Sequence, residues 1–226
     1  MNEDSKIQIL EDTVDHTIDS KLRNALDDAV SFSGTPQYFA VGFVDIANST
    51  NITAQLSHDK ASLYYSTFLN SMSVIVNAFE GKVVKNIGDG LMFSFQENQN
   101  FSKNKMFVDI LECGLKMIHS CDLINERLYQ LDLPEMSYRV SADYGRLLVA
   151  DSKTSFNKDL FGTPVNSSYK INRIANPNSM VIGQNLFQYV ESFNRYEFRE
   201  ISPCMLLAKK KYEVYEVNTL IKTRYF

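Results

Sequence analysis

Two aspartates stand where a carboxylate can do chemistry. Asp45 sits at the end of "YFAVGFVDI", a run of aromatic and aliphatic residues, and is followed by the small polar stretch "ANST". Asp89 lies between Gly88 and Gly90 in "GKVVKNIGDGLMFSF", residues 81–95, where two short runs of β-branched and aromatic residues meet. If these strands are neighbours, both carboxylates emerge at one edge of a sheet as hard oxygen ligands on rigid supports, a donor pair that suits Mg²⁺. The glycines beside Asp89 leave backbone room for a phosphate. Each aspartate alone also fits an ordinary loop carboxylate, and "IGDG" fits a tight turn. Lys82 and Lys85 ride on the first arm of the same hairpin. Other site chemistries are poorly supplied: Cys113, Cys121 and Cys204 form neither an even framework nor a close ligand pair, and His16, His58 and His119 are widely scattered. The cysteines are expected to be reduced and mostly buried, and no zinc site is expected.

The elements that must hold the aspartates follow from hydrophobic spacing. "YFAVGFVDI" is too short to span a membrane and reads as a central strand. Tyr64, Phe68, Met72, Ile75 and Phe79 step by three and four, which predicts a core-facing helix over residues 59–80 that stops at Gly81. After the hairpin, Phe107, Leu111, Ile118 and Leu128 mark a second long helix over roughly residues 103–130. "SYRVSADYGRLLVAD" reads as two strands joined at Tyr144-Gly145. "NKDLFGTPVNSSYKINRIANPNS" reads as a loop, a short helix from Pro164 and a stop at Asn176-Pro177, before "SMVIG", a short "NLFQYV" helix and a strand pair around "MLLAKKKYEVYEV". The expected fold is α+β: a ferredoxin-like or palm-like layered domain with a mixed, mainly antiparallel sheet flanked by helices.

Ahead of this domain, Leu10, Val14, Ile18, Leu22, Leu26 and Val30 recur every four residues, which predicts an N-terminal amphipathic helix within residues 1–34. Its slanted stripe could cover its own domain or make a dimer or regulatory contact. The formal charge of −4 and pI near 5.4 give no overall electrostatic reason to bind nucleic acid or an anionic membrane. No stretch approaches the ~18 apolar residues of a membrane span, and the acidic, polar start "MNEDSKIQIL" is unlike a secretory signal. A soluble, cytoplasmic protein is expected.

Four motifs in order, "FVDIANST", "KNIGDGLMFSF", "YRVSADYGR" and "DLFGTPVNSSYK", resemble the catalytic domain of class III nucleotidyl cyclases, over roughly residues 37–217. The resemblance implies a catalytic domain over residues 35–226, with Asp45, the peptide of Ile46 and Asp89 binding two Mg²⁺ or Mn²⁺ ions per active site. It implies conversion of a nucleoside triphosphate to a 3′,5′-cyclic monophosphate and pyrophosphate. Lys85, four residues before Asp89, takes the place of the family's adenine-reading lysine, and Asp159, seven residues before Asn166, that of its partner. That pair implies ATP rather than GTP, and hence an adenylate cyclase. Lys82 has no counterpart and is expected to face solvent. Asn166 matches the asparagine that opens the ribose- and phosphate-contacting helix, but the family's transition-state arginine four residues on is replaced by Lys170. Lysine keeps the charge and loses the planar fork. Arg173 is the other candidate for that role, since positions 166, 170 and 173 fall on one helical face. Arg146 matches a phosphate-contacting arginine of some members, and Lys209 of "KKK" lies where a lysine often covers the triphosphate.

In the resembled family one domain supplies the metal-binding aspartates and its partner supplies the base-reading pair with the Asn and Arg positions. One chain carrying both sets therefore implies a head-to-tail homodimer. Two alternatives stay open: a cyclase for GTP or a pyrimidine nucleotide, and a catalytically silent nucleotide-binding dimerisation module, which the departure at Lys170 would favour.

Overall fold

The computed structural model describes residues 17–23, 30–32, 34–97, 103–152, 159–207 and 210–220. Strand β2 (Gln37–Ile46) lies at the heart of the sheet and is buried along nearly its whole length. Its alternation explains why: Ala40, Val44 and Ile46 enter the main core, while Phe39, Val41 and Phe43 enter a second cluster on the opposite face. β2 pairs antiparallel with β4 (Gly90–Gln96) on one side and β5 (Tyr138–Ser152) on the other. The order runs β3 (Lys82–Ile87), β4, β2, β5, β7 (Ser179–Gly183), β9 (Lys210–Thr219), β8 (Tyr196–Leu207). Only the β5–β7 pairing in this path is parallel, so the sheet is mixed and mainly antiparallel.

Helix α3 (His58–Ala78) starts at Ser57, whose side chain accepts from the Lys60 amide, and buries Tyr64, Phe68, Met72 and Val76. It shares the main core with α4 (Lys103–His119) and α5 (Cys121–Gln130). The single helix expected over residues 103–130 is thus two. Ser120 separates them and bonds back to the Lys116 carbonyl, a habit that bends helices. α6 (Thr163–Asn172) lies against β2 and β5 through its buried residues, and α7 (Gln184–Val190) buries Leu186 and Val190. A short helix α2 (Ser49–Thr53) follows Asp45 where only a loop was expected, and β6 (Asp159–Phe161) appears inside the expected loop before α6.

Two further expectations change. β5 is one continuous strand rather than two: Gly145 pairs in register with Phe39 at the predicted turn. A Cβ there would lie 2.9 Å from Pro164 Cγ, so the glycine admits the start of α6 instead of turning the chain. The N-terminal stripe does not reach Val30 as helix. Residues 17–23 form α1, with Ile18 and Leu22 exposed, but Val30 belongs to β1 (Val30–Phe32), which pairs with the far half of β5 and satisfies its backbone. Leu10, Val14 and Leu26 lie outside the described residues. No helix among the described residues is long and apolar enough to cross a membrane.

Candidate active site

Sheet register places Asp45 opposite Gly90 of β4 and opposite Arg139 of β5. The tight β3–β4 turn then carries Asp89 to the same sheet end. The structure brings the two carboxylates together, and the Asp45 carboxyl is raised from 3.8 to about 6. Burial is the largest cause, followed by the negative charge of Asp89 and a hydrogen bond with it; Arg139 and Arg173 pull the other way. Both aspartates and Ile46 line an open cleft of about 550 Å³, with Arg139, Asn172 and Arg173 on its walls.

This pair fits a divalent cation. Two half-buried acids that repel each other are what a cation would relieve, and Mg²⁺ takes one or two protein carboxylates while leaving room for phosphate oxygens. Gly90 keeps the space open: a Cβ there would meet the Val44 carbonyl at 2.8 Å and Asp45 Oδ1 at 3.1 Å. Among the described residues no three His, Cys, Asp or Glu side chains gather into a fuller cage.

The raised carboxyl has a testable consequence for the metal-free protein. The unfolded chain loses the Asp45 proton near 3.8 and the folded chain near 6. The stability contributed by this group is therefore complete below the lower value and is lost as pH rises through the upper one. Asp45→Asn, which cannot ionise, is expected to raise the melting temperature over the unmodified chain at pH about 8 and to change it little at pH about 4, in chelator. A gain of equal size at both pH values would contradict the cause assigned here.

Arg139 was not picked out from the sequence. Its side chain adjoins the Asp45 cleft, and its buried Nε has no hydrogen-bond partner. A buried donor left unmatched calls for a partner, and the Arg139 charge also pulls the Asp45 carboxyl down. The available signal was one charged residue inside an apolar strand, but its position opposite Asp45 appears only with the register. Asn172 was also missed. It is buried and donates to the Phe43 and Arg139 carbonyls, tying the end of α6 to both strands beneath the cleft.

The remaining sequence-selected residues separate into groups. Lys85 Nζ lies 2.7 Å from both Asp159 oxygens, although the residues are 74 positions apart, and Asp159 Oδ1 also accepts from the Leu160 amide at 2.9 Å. Both side chains keep about a third or more of their surface exposed. Such a pair contributes about 0–1 kcal/mol, so a ligand could open it at small cost. Neither residue lines the Asp45 cleft. Asn166 and Lys170 are exposed on α6 and also lie off the cleft, whereas Arg173, just past the helix end, borders it. The shared face expected for the three is thus divided, because only the C-terminal end of α6 reaches the aspartates. Arg146 is exposed and pairs in register with Tyr38, seven residues along β2 from Asp45. Lys209 lies outside the described residues.

The profile of the adenylate and guanylate cyclase catalytic domain matches residues 34–219, most of the chain. The chain belongs to this family. As a class III cyclase domain it is 23% identical over 164 residues to a cytidylate cyclase of Staphylococcus aureus, covering 69% of this chain and 38% of that protein. It is 24% identical over 186 residues to a cytidylate cyclase of Escherichia coli, covering 74% of this chain and 39% of that protein. The cyclase domain therefore spans well under half the length of these curated relatives. The solved structure of the adenylyl cyclase CyaB from P. aeruginosa shares its fold, with a TM-score of 0.76 at 17% identity, over 83% of this chain and 97% of that one.

Proposed function

We propose that the protein is a nucleotidyl cyclase for triphosphates whose base sets an exocyclic amine beside an unprotonated ring nitrogen, ATP or CTP, forming the 3′,5′-cyclic monophosphate and pyrophosphate. The observation that carries this reading is the Lys85–Asp159 pair. Asp159 offers an acceptor to an exocyclic amine and Lys85 a donor to the adjacent ring nitrogen. Adenine presents that order at N6 and N1, and cytosine presents the same order at N4 and N3. Guanine and uracil present a carbonyl and a ring N–H instead, leaving both protein groups mismatched at about 1–3 kcal/mol each. The sequence alone favoured ATP; the two relatives named cytidylate cyclases add support for CTP.

The reaction joins the ribose 3′ oxygen to the α-phosphorus, breaks the bond to the bridging oxygen of the departing pyrophosphate and releases the hydroxyl proton. Asp45, Asp89 and the Ile46 carbonyl would hold Mg²⁺ or Mn²⁺, two per site, whose chemistry is to acidify that hydroxyl and neutralise the polyphosphate. Arg139 and Arg173, on the cleft walls, supply fixed positive charge toward the phosphates. Asn166 orients the ribose and Lys170 answers charge developing at the phosphorus, while Arg146 and Lys209 are assigned to the triphosphate tail.

Lys85, Asp159, Asn166 and Lys170 all lie off the Asp45 cleft of their own chain. We assign them to the cleft of a second copy in a head-to-tail homodimer, giving two equivalent sites. Incubating the full chain with Mn²⁺ and each of the four triphosphates, with products identified by mass, tests the base assignment. Cyclic AMP or cyclic CMP is expected to dominate; a preference for GTP or UTP would overturn it.

A further inference from the structure

The contact between α6 and the sheet joins apolar packing, Ile171 with Val181 and Val214, to an unusual number of buried polar groups. Ser141, Asp143, Ser167, Ser168 and Asn172 are all buried in it. Ser141 donates to the Ser168 carbonyl and Ser168 to the Val41 carbonyl, both at 2.9 Å. Apolar packing is non-directional and tolerates small slides, whereas hydrogen bonds specify one register.

Asp143 is the centre of this seam. It is fully buried, and its Oδ2 accepts from Ser167 Oγ in a short hydrogen bond and from Tyr212 Oη at 2.6 Å. Its Oδ1 accepts from the Leu186 amide at 3.2 Å. Burial pushes the carboxyl up, against the pull of these donors and of the Tyr144 amide. Gly183 makes the space: a Cβ there would lie 2.7 Å from Asp143 Cγ and 2.9 Å from Tyr212 Oη. A buried carboxylate is costly, and a well-packed apolar group often serves stability as well. What the carboxylate does that an apolar group could not is take donors from α6, α7 and β9 at once. Ser167 adjoins Asn166 on α6, and Tyr212 directly follows the Lys209–Lys211 run.

We propose that Asp143 is a positioning residue for the cyclisation, acting through Ser167 and Tyr212 to fix α6, with its Asn166 and Lys170, relative to the start of β9. This rests on the function proposed above for those two groups. The test uses Tyr212→Phe and Ser167→Ala, which keep most of each side chain's volume, in the 226-residue chain. Each is expected to lower kcat about tenfold with KM changed less than about twofold, because misplaced groups on α6 are felt in the transition state. The double variant is expected to lose little more than the worse single one, since both donors share one oxygen. Unchanged kcat with a lowered melting temperature, or losses that multiply in the double variant, would overturn the proposal. Should the unmodified chain cyclise no triphosphate, the functional reading fails separately, and hydrogen exchange then decides: Tyr212→Phe is expected to speed amide exchange across α6, and unaltered exchange there would refute the anchoring role.

Discussion

An equal mixture of Asp45→Ala and Asp159→Ala chains is expected to recover about a quarter of the unmodified activity, more than either variant gives alone. Random exchange makes half of the dimers mixed, and each mixed dimer has one site with both losses and one site with neither. The prediction follows from where the groups sit. Asp45 and Asp89 meet at one sheet end, while Asp159 and Lys85 bond to each other outside that cleft. Asp45→Ala alone is expected to cost about 10³-fold or more, the scale of several kcal/mol of charge stabilisation. Arg173 sharpens the experiment. Because it borders the cleft of its own chain, Arg173→Ala should complement Asp159→Ala but not Asp45→Ala. Lys170→Ala should do the reverse. Identical behaviour of the Arg173 and Lys170 variants would show that the division between them is not functional.

Exchanging the base-reading charges, Lys85→Glu with Asp159→Lys, is expected to turn the preference from amino to keto bases. The ion pair is retained, so the local fold has little reason to change. The donor now faces the exocyclic position and the acceptor faces the ring nitrogen, which is the order that guanine and uracil require. With about 1–3 kcal/mol at each of two mismatches, the ratio of kcat/KM values should end about 30-fold to 10⁴-fold in favour of the keto bases. Relative rates with the four triphosphates measure it. A variant that stays active with an unmoved preference would mean that other residues read the base.

Local pattern accounts well for the elements that hold the aspartates. Alternation along "YFAVGFVDI" and the step of Tyr64, Phe68 and Met72 depend only on neighbours in sequence, and β2 and α3 lie where that spacing puts them. Pairing register is not local, and the differences arise there. Gly145 has the composition of a turn, yet the missing side chain makes room for Pro164, a contact across the fold. Val30 continues a helical stripe but is captured by the far half of β5. Arg139 and Asn172 gain meaning only once β5 and α6 are set against Asp45. Asp143 resembles any polar residue in a strand until the donors of three other elements converge on it. The sequence could nominate Asn166, Lys170 and Arg173 together by helical phase, but phase does not report which end of the helix reaches the cleft.

The central claim is that Asp45 and Asp89 act as one centre for closing the nucleotide ring. The direct measurement is mass-resolved product formation by the full chain with ATP and CTP, in Mn²⁺ or in chelator, beside Asp45→Ala and Asp89→Ala. A 3′,5′-cyclic product with an equal amount of pyrophosphate is expected only from the unmodified chain with cation. No cyclic product from that chain, or product undiminished when both carboxylates are removed, would contradict it.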